Sequence, residues 1–154
     1  MQGHILPAIM AVMVLGTGAA QAQASHSIWD GVYTEAQAQH GEALYRQNCA
    51  YCHGQTLAGT FETAPLMGRF MPYWSGTTLD VLMDYVNMAM PLGRMGAVSR
   101  ADDADIIAYI LKVNGLPAGN GALGADAAAL QAITFDAARP KPASPPEKPP
   151  RRRR

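Results

Sequence analysis

Cys49, Cys52 and His53 form the pattern with the clearest chemical meaning in the chain, Cys-x-x-Cys-His. Cysteines three positions apart lie on one face of a helix, so both thiols can add to the two vinyl groups of a single haem. The next residue, His53, can then present its Nε2 atom to the iron. Because the chain has only two cysteines, it can carry one haem attached in this way.

Three other uses of the two cysteines stay open: a disulfide bond, a thioredoxin-like redox pair and half of a zinc site. A thioredoxin-like pair follows a strand, whereas residues 34–48 favour a helix. A zinc site needs two further ligands at short spacing, and His26 and His40 are poorly placed to supply them. An export signal, described below, favours haem because c-type haem is attached outside the cytoplasm.

Met90, which is followed by Pro91, is the candidate for a second axial ligand among the nine methionines. It lies 37 residues after His53 and just past a predicted helix, where the chain can fold over the opposite face of the haem. Met95 is the nearest rival, and an open or His-ligated iron is a further alternative. Met71-Pro72 repeats the dipeptide but lies inside the loop that follows His53.

Helix-start signals and apolar spacing predict three long helices around these residues. They span residues 34–48, 77–90 and 99–115, with N-caps at Thr34, at Thr77 or Thr78, and at Ser99. A short Ala-rich helix is predicted over residues 125–133, and no segment alternates with the period of a strand. We therefore predict an all-α fold of three to five helices. Residues 54–76, rich in glycine and proline, form a long loop that we expect to cover a functional group.

The two ends of the chain differ from its middle. Residues 5–15 are apolar but rise only about 16 Å as a helix, against a hydrocarbon core of roughly 30 Å. Small residues then fit signal cleavage after Ala22 or Ala24. We predict a secretory signal over residues 1–24, with a retained N-terminal anchor as the alternative. A lead-in (25–33), the folded domain (34–136) and a disordered Pro/Arg-rich tail (137–154) follow.

The formal net charge of zero combines two unlike parts. Residues 25–139 carry six basic side chains against eleven acidic ones, and residues 140–154 carry six basic ones against one acidic one. Nucleic-acid binding usually requires a broad basic field, so we expect no nucleic-acid partner. The tail is expected either to contact an anionic membrane or an acidic partner, or to be simply solvated.

The motifs together resemble class I cytochromes c over residues 34–118. The matching motifs are Gly41-x-x-x-Tyr45-x-x-x-Cys49-x-x-Cys52-His53, Pro65-Leu66-Met67-Gly68, Met90-Pro91 and Ala108-Tyr109. Within that family, the residues around Trp74, Met90 and Asn114 are most similar to haem domains that work with periplasmic quinoprotein dehydrogenases. The resemblance implies a class I cytochrome c fold around one covalent haem, with the long loop on its proximal side.

The resemblance also assigns roles to individual residues. Gly41 would let the last helix approach the first closely, where Tyr45 and Tyr109 would pack. A backbone carbonyl just before Leu66 would accept the Nδ1 proton of His53. Leu66 would contact the haem, and Trp74 would either donate to a haem propionate or belong to the core.

A soluble periplasmic carrier of single electrons is the function that we expect, with one haem c ligated by His53 and Met90. No catalytic residue is predicted, so the chain is not expected to be an enzyme. A periplasmic dehydrogenase would be the electron donor, and an oxidase or another cytochrome would be the acceptor. Two alternatives stay open: a subunit held in a dehydrogenase or oxidase complex, and a ligand-binding haem sensor or peroxidase-like protein.

Overall fold

The structure, a computed structural model, describes residues 26–141. The predicted signal (1–24) and the arginine-ended part of the tail (142–154) lie outside the described residues. Within them the chain forms six α-helices, against the three to five predicted. These are α1 (Glu35–Asn48), α2 (Ala50–His53), α3 (Phe70–Trp74), α4 (Leu79–Ala89), α5 (Arg100–Val113) and α6 (Ala127–Gln131).

The long helices begin at the predicted caps. The Thr34 side chain accepts the Gln37 backbone N–H at 3.1 Å, and Ser99 accepts the Asp102 N–H at the same distance. Gln37 does not bond back to Thr34 in a capping box, because its side-chain amide donates to Asp105 and to the Leu123 carbonyl instead. A tertiary contact has replaced the local one.

Helices α1 and α5 cross at Gly41, and this crossing organises the domain. A Cβ atom at Gly41 would overlap the carbonyl of Asp105, so only glycine allows the two backbones to approach this closely. One turn further along α1, the rings of Tyr45 and Tyr109 pack with centroids 5.4 Å apart. Both roles expected from the resemblance are confirmed.

A small three-stranded sheet corrects the prediction that no strands form. The strands are β1 (His26–Ser27), β2 (Thr77–Thr78) and β3 (Ile133–Phe135), in the order β1-β3-β2, with β1 parallel and β2 antiparallel to β3. Segments of two or three residues are too short to show alternation in the sequence. Through β1, residues that were predicted to precede the domain pair with β3 near the end of the domain.

The loop predicted over residues 54–76 also contains a helix that the sequence did not reveal. Five residues form α3, and its Phe70 and Met71 are buried in the core. Pro72 lies in the first turn of this helix, where a missing N–H costs no hydrogen bond. The loop is therefore irregular from residue 54 to residue 69, and α3 packs its far end against the domain.

The core lies between α1, α4, α5 and the sheet. The apolar side chains of α5 contribute to it, since Ile106, Ile107 and Ile110 are buried and the partly buried Val113 packs against the core. Among residues 26–141, no helix has both the length and the apolar character needed to cross a membrane.

Candidate functional site

The Cys-x-x-Cys-His segment forms one helical turn at the end of α1. Cys49 ends α1 and precedes α2, and its carbonyl accepts the backbone N–H groups of Cys52 at 3.2 Å and His53 at 3.0 Å. Cys52 is exposed, whereas Cys49 and His53 are half-buried. The three side chains that the sequence singled out therefore project from a single turn.

Both cysteines are free thiols, and the surroundings of Cys49 do not suit thiol redox chemistry. Burial, together with the smaller effects of the nearby Asp103 and Cys52, raises the pKa of the Cys49 thiol to about 11. Thioredoxin-like cysteines instead have lowered pKa values, because the thiolate is the nucleophile. Within residues 26–141, no group of three or more His, Cys, Asp and Glu side chains forms a metal site.

The His53 ring is oriented by the loop that follows it. Its Nδ1 atom lies 2.9 Å from the Ala64 carbonyl oxygen, so this carbonyl is the acceptor that was expected near Leu66. The His53 carbonyl in turn accepts the Gly59 N–H at 2.9 Å, which folds the loop back on the histidine. With Nδ1 occupied, Nε2 is the ring nitrogen that can bind a metal ion.

Two side chains, those of Tyr45 and Asn114, connect the helices to this loop. Neither was predicted to belong to the site. The Tyr45 hydroxyl donates to the Gly54 carbonyl at 2.7 Å, directly after His53. The Asn114 amide, at the end of α5, donates to the Leu66 carbonyl at 2.9 Å. The position of Asn114, between a helix end and a glycine, could have marked it in the sequence as a helix-capping residue. Nothing in the sequence marks its hydrogen bond to Leu66, 48 residues away.

Met90 lies directly after α4, where its backbone N–H donates to the Val86 carbonyl at 2.9 Å. Its side chain is half-buried, whereas that of the rival Met95 is 65% exposed. Met71 and Met83 are buried in the core, so neither is available to a bound group. Of the two methionines that follow α4, Met90 is therefore the one that is partly shielded from solvent, and it remains the candidate for the second ligand.

Leu66 and Trp74, the other predicted haem contacts, are both half-buried and pack against the core. The Trp74 ring lies among Phe70, Tyr73 and Tyr85, with centroid distances of 5.3 to 6.3 Å. This aromatic cluster supports the alternative that Trp74 belongs to the core as much as it supports a hydrogen bond from Trp74 to a haem propionate.

A buried carboxylate lies on the Met90 side of the domain and was not predicted. Asp103 of α5 is 2% exposed and accepts the Asn87 amide of α4 at 2.8 Å. Burial raises the pKa of Asp103, and the Asn87 hydrogen bond partly opposes this effect. The contact connects α5 to the last turn of α4, three residues before Met90.

The donor set fits a covalently attached haem. Two free thiols and an imidazole with Nδ1 already bonded project from one turn. Large apolar side chains are also exposed in the segment around Met90, namely Met88 (73%), Leu92 (86%) and Met95 (65%). A run of exposed apolar side chains typically marks a binding surface.

Comparisons with known proteins give a similarity to cytochrome and dehydrogenase proteins. Residues 36–110 match the family described as cytochrome C oxidase, cbb3-type, subunit III. A thiosulfate dehydrogenase from Stutzerimonas stutzeri (strain A1501) is 30% identical over an alignment of 77 residues. The alignment covers 46% of this chain and 25% of that protein. The chain therefore spans about a quarter of that relative's length.

Among solved structures, the sulfane dehydrogenase SoxCD from Paracoccus pantotrophus aligns with a TM-score of 0.42 and 27% identity. The alignment covers 67% of this chain and 60% of that chain. The family match extends from the start of α1 into α5 and includes the Cys-x-x-Cys-His turn and Met90. Residues 36–110, just under half of the chain, are therefore similar to the c-type cytochrome domains of this family.

Proposed function

We propose that this protein carries single electrons on one haem c, which is attached through Cys49 and Cys52 and ligated by His53 and Met90. The observation that carries the proposal is the contact between His53 Nδ1 and the Ala64 carbonyl at 2.9 Å, directly after the two cysteines. A metal-binding histidine typically donates its second ring N–H in this way, which fixes the tautomer and raises the basicity of the ring.

The chain's own residues perform three tasks in this proposal. The Cys49 and Cys52 sulfurs anchor the group on a turn that begins at a half-buried position. The Ala64 carbonyl orients the imidazole, and the aliphatic and aromatic side chains around Leu66 and Trp74 exclude water from one side. The haem supplies an iron that alternates between Fe(II) and Fe(III). With two protein ligands on that iron, no coordination position is left for a substrate.

We propose a periplasmic location for this function, because covalent haem attachment and the predicted signal both belong to export. The net negative charge of residues 25–139, eleven acidic against six basic side chains, favours a transient partner with basic groups around its own redox centre. A donor dehydrogenase and an acceptor oxidase or cytochrome are the partner classes that fit a carrier of one electron.

An absorption spectrum of the purified full chain, expressed with haem-maturation machinery, tests the proposal. We expect a covalent c-type spectrum with a methionine–iron charge-transfer band in the oxidised protein. Met90→Ala should lose this band and Met95→Ala should keep it. A wild-type protein without covalent haem would overturn the proposal. Carbon monoxide binding to the reduced wild type at neutral pH would overturn the His53/Met90 ligation and favour the ligand-binding alternative.

A second candidate is an electron-transfer subunit of a dehydrogenase that oxidises a sulfur compound. The observation that favours it is the 30% identity over 77 residues to a thiosulfate dehydrogenase. Co-purification with a catalytic subunit that survives high salt would support a permanent complex. Dissociation at moderate ionic strength, with retained reduction by the same dehydrogenase, would instead support the free carrier, because electrostatic encounters are screened by salt.

A further inference from the structure

Asn114 makes two hydrogen bonds at the end of α5, and they connect different parts of the chain. Its side-chain amide donates to the Ile110 carbonyl in its own helix at 2.8 Å and to the Leu66 carbonyl in the loop at 2.9 Å. The Ile110 carbonyl already accepts the Asn114 backbone N–H at 3.1 Å, so the first bond is an additional one to it. The second reaches 48 residues back along the chain and has no role in ending the helix.

The bond to Leu66 completes a two-sided restraint on the loop backbone. The Leu66 N–H donates to the Leu57 carbonyl at 2.8 Å, so both polar groups of Leu66 are bonded. Leu57 is fully buried and adopts a left-handed φ of 62°, an uncommon conformation that persists only where its surroundings determine it. Leu66 is therefore attached to a buried anchor on one side and to α5 on the other.

Pro65 transmits this restraint to the histidine acceptor. Only Pro65 separates Leu66 from Ala64, whose carbonyl lies 2.9 Å from His53 Nδ1. Its ring locks φ near −65°, so the Ala64 carbonyl has little freedom to turn once the Leu66 backbone is held. A displacement at the Leu66 carbonyl is thus passed to the His53 hydrogen bond.

We propose that Asn114 is a positioning residue, which sets the strength of the His53–Ala64 hydrogen bond through Leu66 and thereby tunes the reduction potential of the iron. The inference rests on the proposed function, since it requires His53 as a ligand. A strong hydrogen bond from Nδ1 makes the imidazole a better donor and stabilises Fe(III). Loosening it favours Fe(II) and raises the potential.

The test compares Asn114→Ala and Asn114→Leu with Tyr33→Phe, all as purified haem-loaded full chains. Asn114→Leu keeps the side-chain size, so a folded variant is available if Asn114→Ala is too unstable. The Tyr33 hydroxyl donates to the Leu116 carbonyl at 2.6 Å, also at the end of α5. Tyr33→Phe therefore removes a buried, neutral hydrogen bond near the same helix end without touching the loop.

Two quantities are measured: the reduction potential, and the exchange rate of the His53 Nδ1 proton by NMR of the reduced protein. Both Asn114 variants should shift the potential upward and exchange this proton about fivefold faster, the loss of roughly one net hydrogen bond. Tyr33→Phe should lower thermal stability but change neither quantity. Unchanged values in the Asn114 variants, or equal shifts in Tyr33→Phe, would overturn the inference while haem attachment stands. A wild-type protein lacking covalent haem or His53 ligation would overturn both proposals.

Discussion

The loop that follows His53 and the segment that follows Met90 are both irregular, but they are bonded to the rest of the chain differently. The His53 loop receives hydrogen bonds from α1 and α5, through Tyr45 to Gly54 and Asn114 to Leu66. It is also closed internally by the bond from Gly59 to the His53 carbonyl. Its conformation therefore depends on the assembled domain.

The Met90 segment is held mainly by short local turns. The Arg94 N–H donates to Pro91 at 2.8 Å, and the Ala97 N–H donates to Arg94 at 3.0 Å. Most of the segment is exposed until Val98, which is buried. The long-range connection on this side lies in the helix before it, where Asn87 bonds the buried Asp103.

The difference indicates which of the two proposed ligands the protein constrains more. On the histidine side, neutral side chains from two helices fix backbone carbonyls. On the methionine side, the nearest tertiary hydrogen bond involves a titratable carboxyl group, and the loop itself can rearrange at little cost because its bonds are local. Of the two proposed ligands, we expect both to stay bound in the native protein at neutral pH and Met90 to be lost before His53 when denaturant loosens the domain.

The largest expected effect comes from removing the two ligands in turn. His53→Ala should lose most of the covalent haem and lower the thermal midpoint strongly, because it removes the ligand and leaves the Ala64 carbonyl without its donor. Met90→Ala should keep covalent haem on Cys49 and Cys52 and gain carbon monoxide binding. Haem per chain, measured from the absorbance of purified protein, distinguishes the two. Equal haem loss in both variants would break the comparison.

Alanine substitutions at one glycine in each loop give a matched pair. Gly59 and Gly93 have similar φ values of 74° and 80°. A Cβ atom added at Gly59 would lie 2.8 Å from the Pro65 nitrogen, whereas a Cβ atom added at Gly93 would have no neighbouring atom within 4 Å. Gly93→Ala should cost about 1–2 kcal/mol of unfolding free energy from backbone strain. Gly59→Ala should cost roughly 1–3 kcal/mol more from overlap. Denaturant unfolding of the haem-loaded proteins measures both, and equal costs would contradict the packed loop.

Tyr45→Phe should have a smaller effect, confined to the histidine side. Burial raises the pKa of Tyr45, so its hydroxyl stays protonated and donates to the Gly54 carbonyl. Removing the hydroxyl should cost about 1 kcal/mol of unfolding free energy and speed the exchange of the nearby Gly59 amide. Tyr109→Phe, in the other ring of the same aromatic pair, serves as the control. Equal effects on the Gly59 amide would show that ring packing, and not the hydrogen bond, is responsible.

Asp103→Asn should alter the pH dependence of stability. In acid solution its effect should be the smallest of the four predicted for substitutions. Burial raises the pKa of Asp103 above its ordinary value, so the folded protein binds this proton more tightly than the unfolded chain does. The stability from this group is full below the unfolded pKa and is lost as pH rises through the folded pKa. Stability of Asp103→Asn relative to wild type should therefore increase with pH across that window.

Thermal midpoints of the two proteins, recorded as a function of pH, measure this difference. Asp102→Asn serves as the control, because it removes a charge from the same turn of α5, where the Asp102 carboxylate accepts the hydroxyl of the N-cap Ser99. Parallel pH profiles for wild type and Asp103→Asn would show that the carboxyl group does not carry a raised pKa in the folded protein.

Local signals in the sequence predicted the long helices well. Thr34 and Ser99 cap α1 and α5, and Gly41 lies at the helix crossing as the resemblance implied. The short elements were not predictable, because α3 and the three strands contain too few residues to show a period. Their formation depends on burial of residues such as Phe70 and Phe135, whose rings pack 5.9 Å apart.

The candidate site divides in the same way. The sequence by itself determined the Cys-x-x-Cys-His turn and the proposal of one haem attached through it, because both depend on residue types and helical spacing alone. Only the tertiary structure decided which carbonyl orients His53 and which side chain holds that loop. Ala64 and Asn114 reach their partners across 11 and 48 residues, and the separation between such groups is set by helix packing and not by any local pattern.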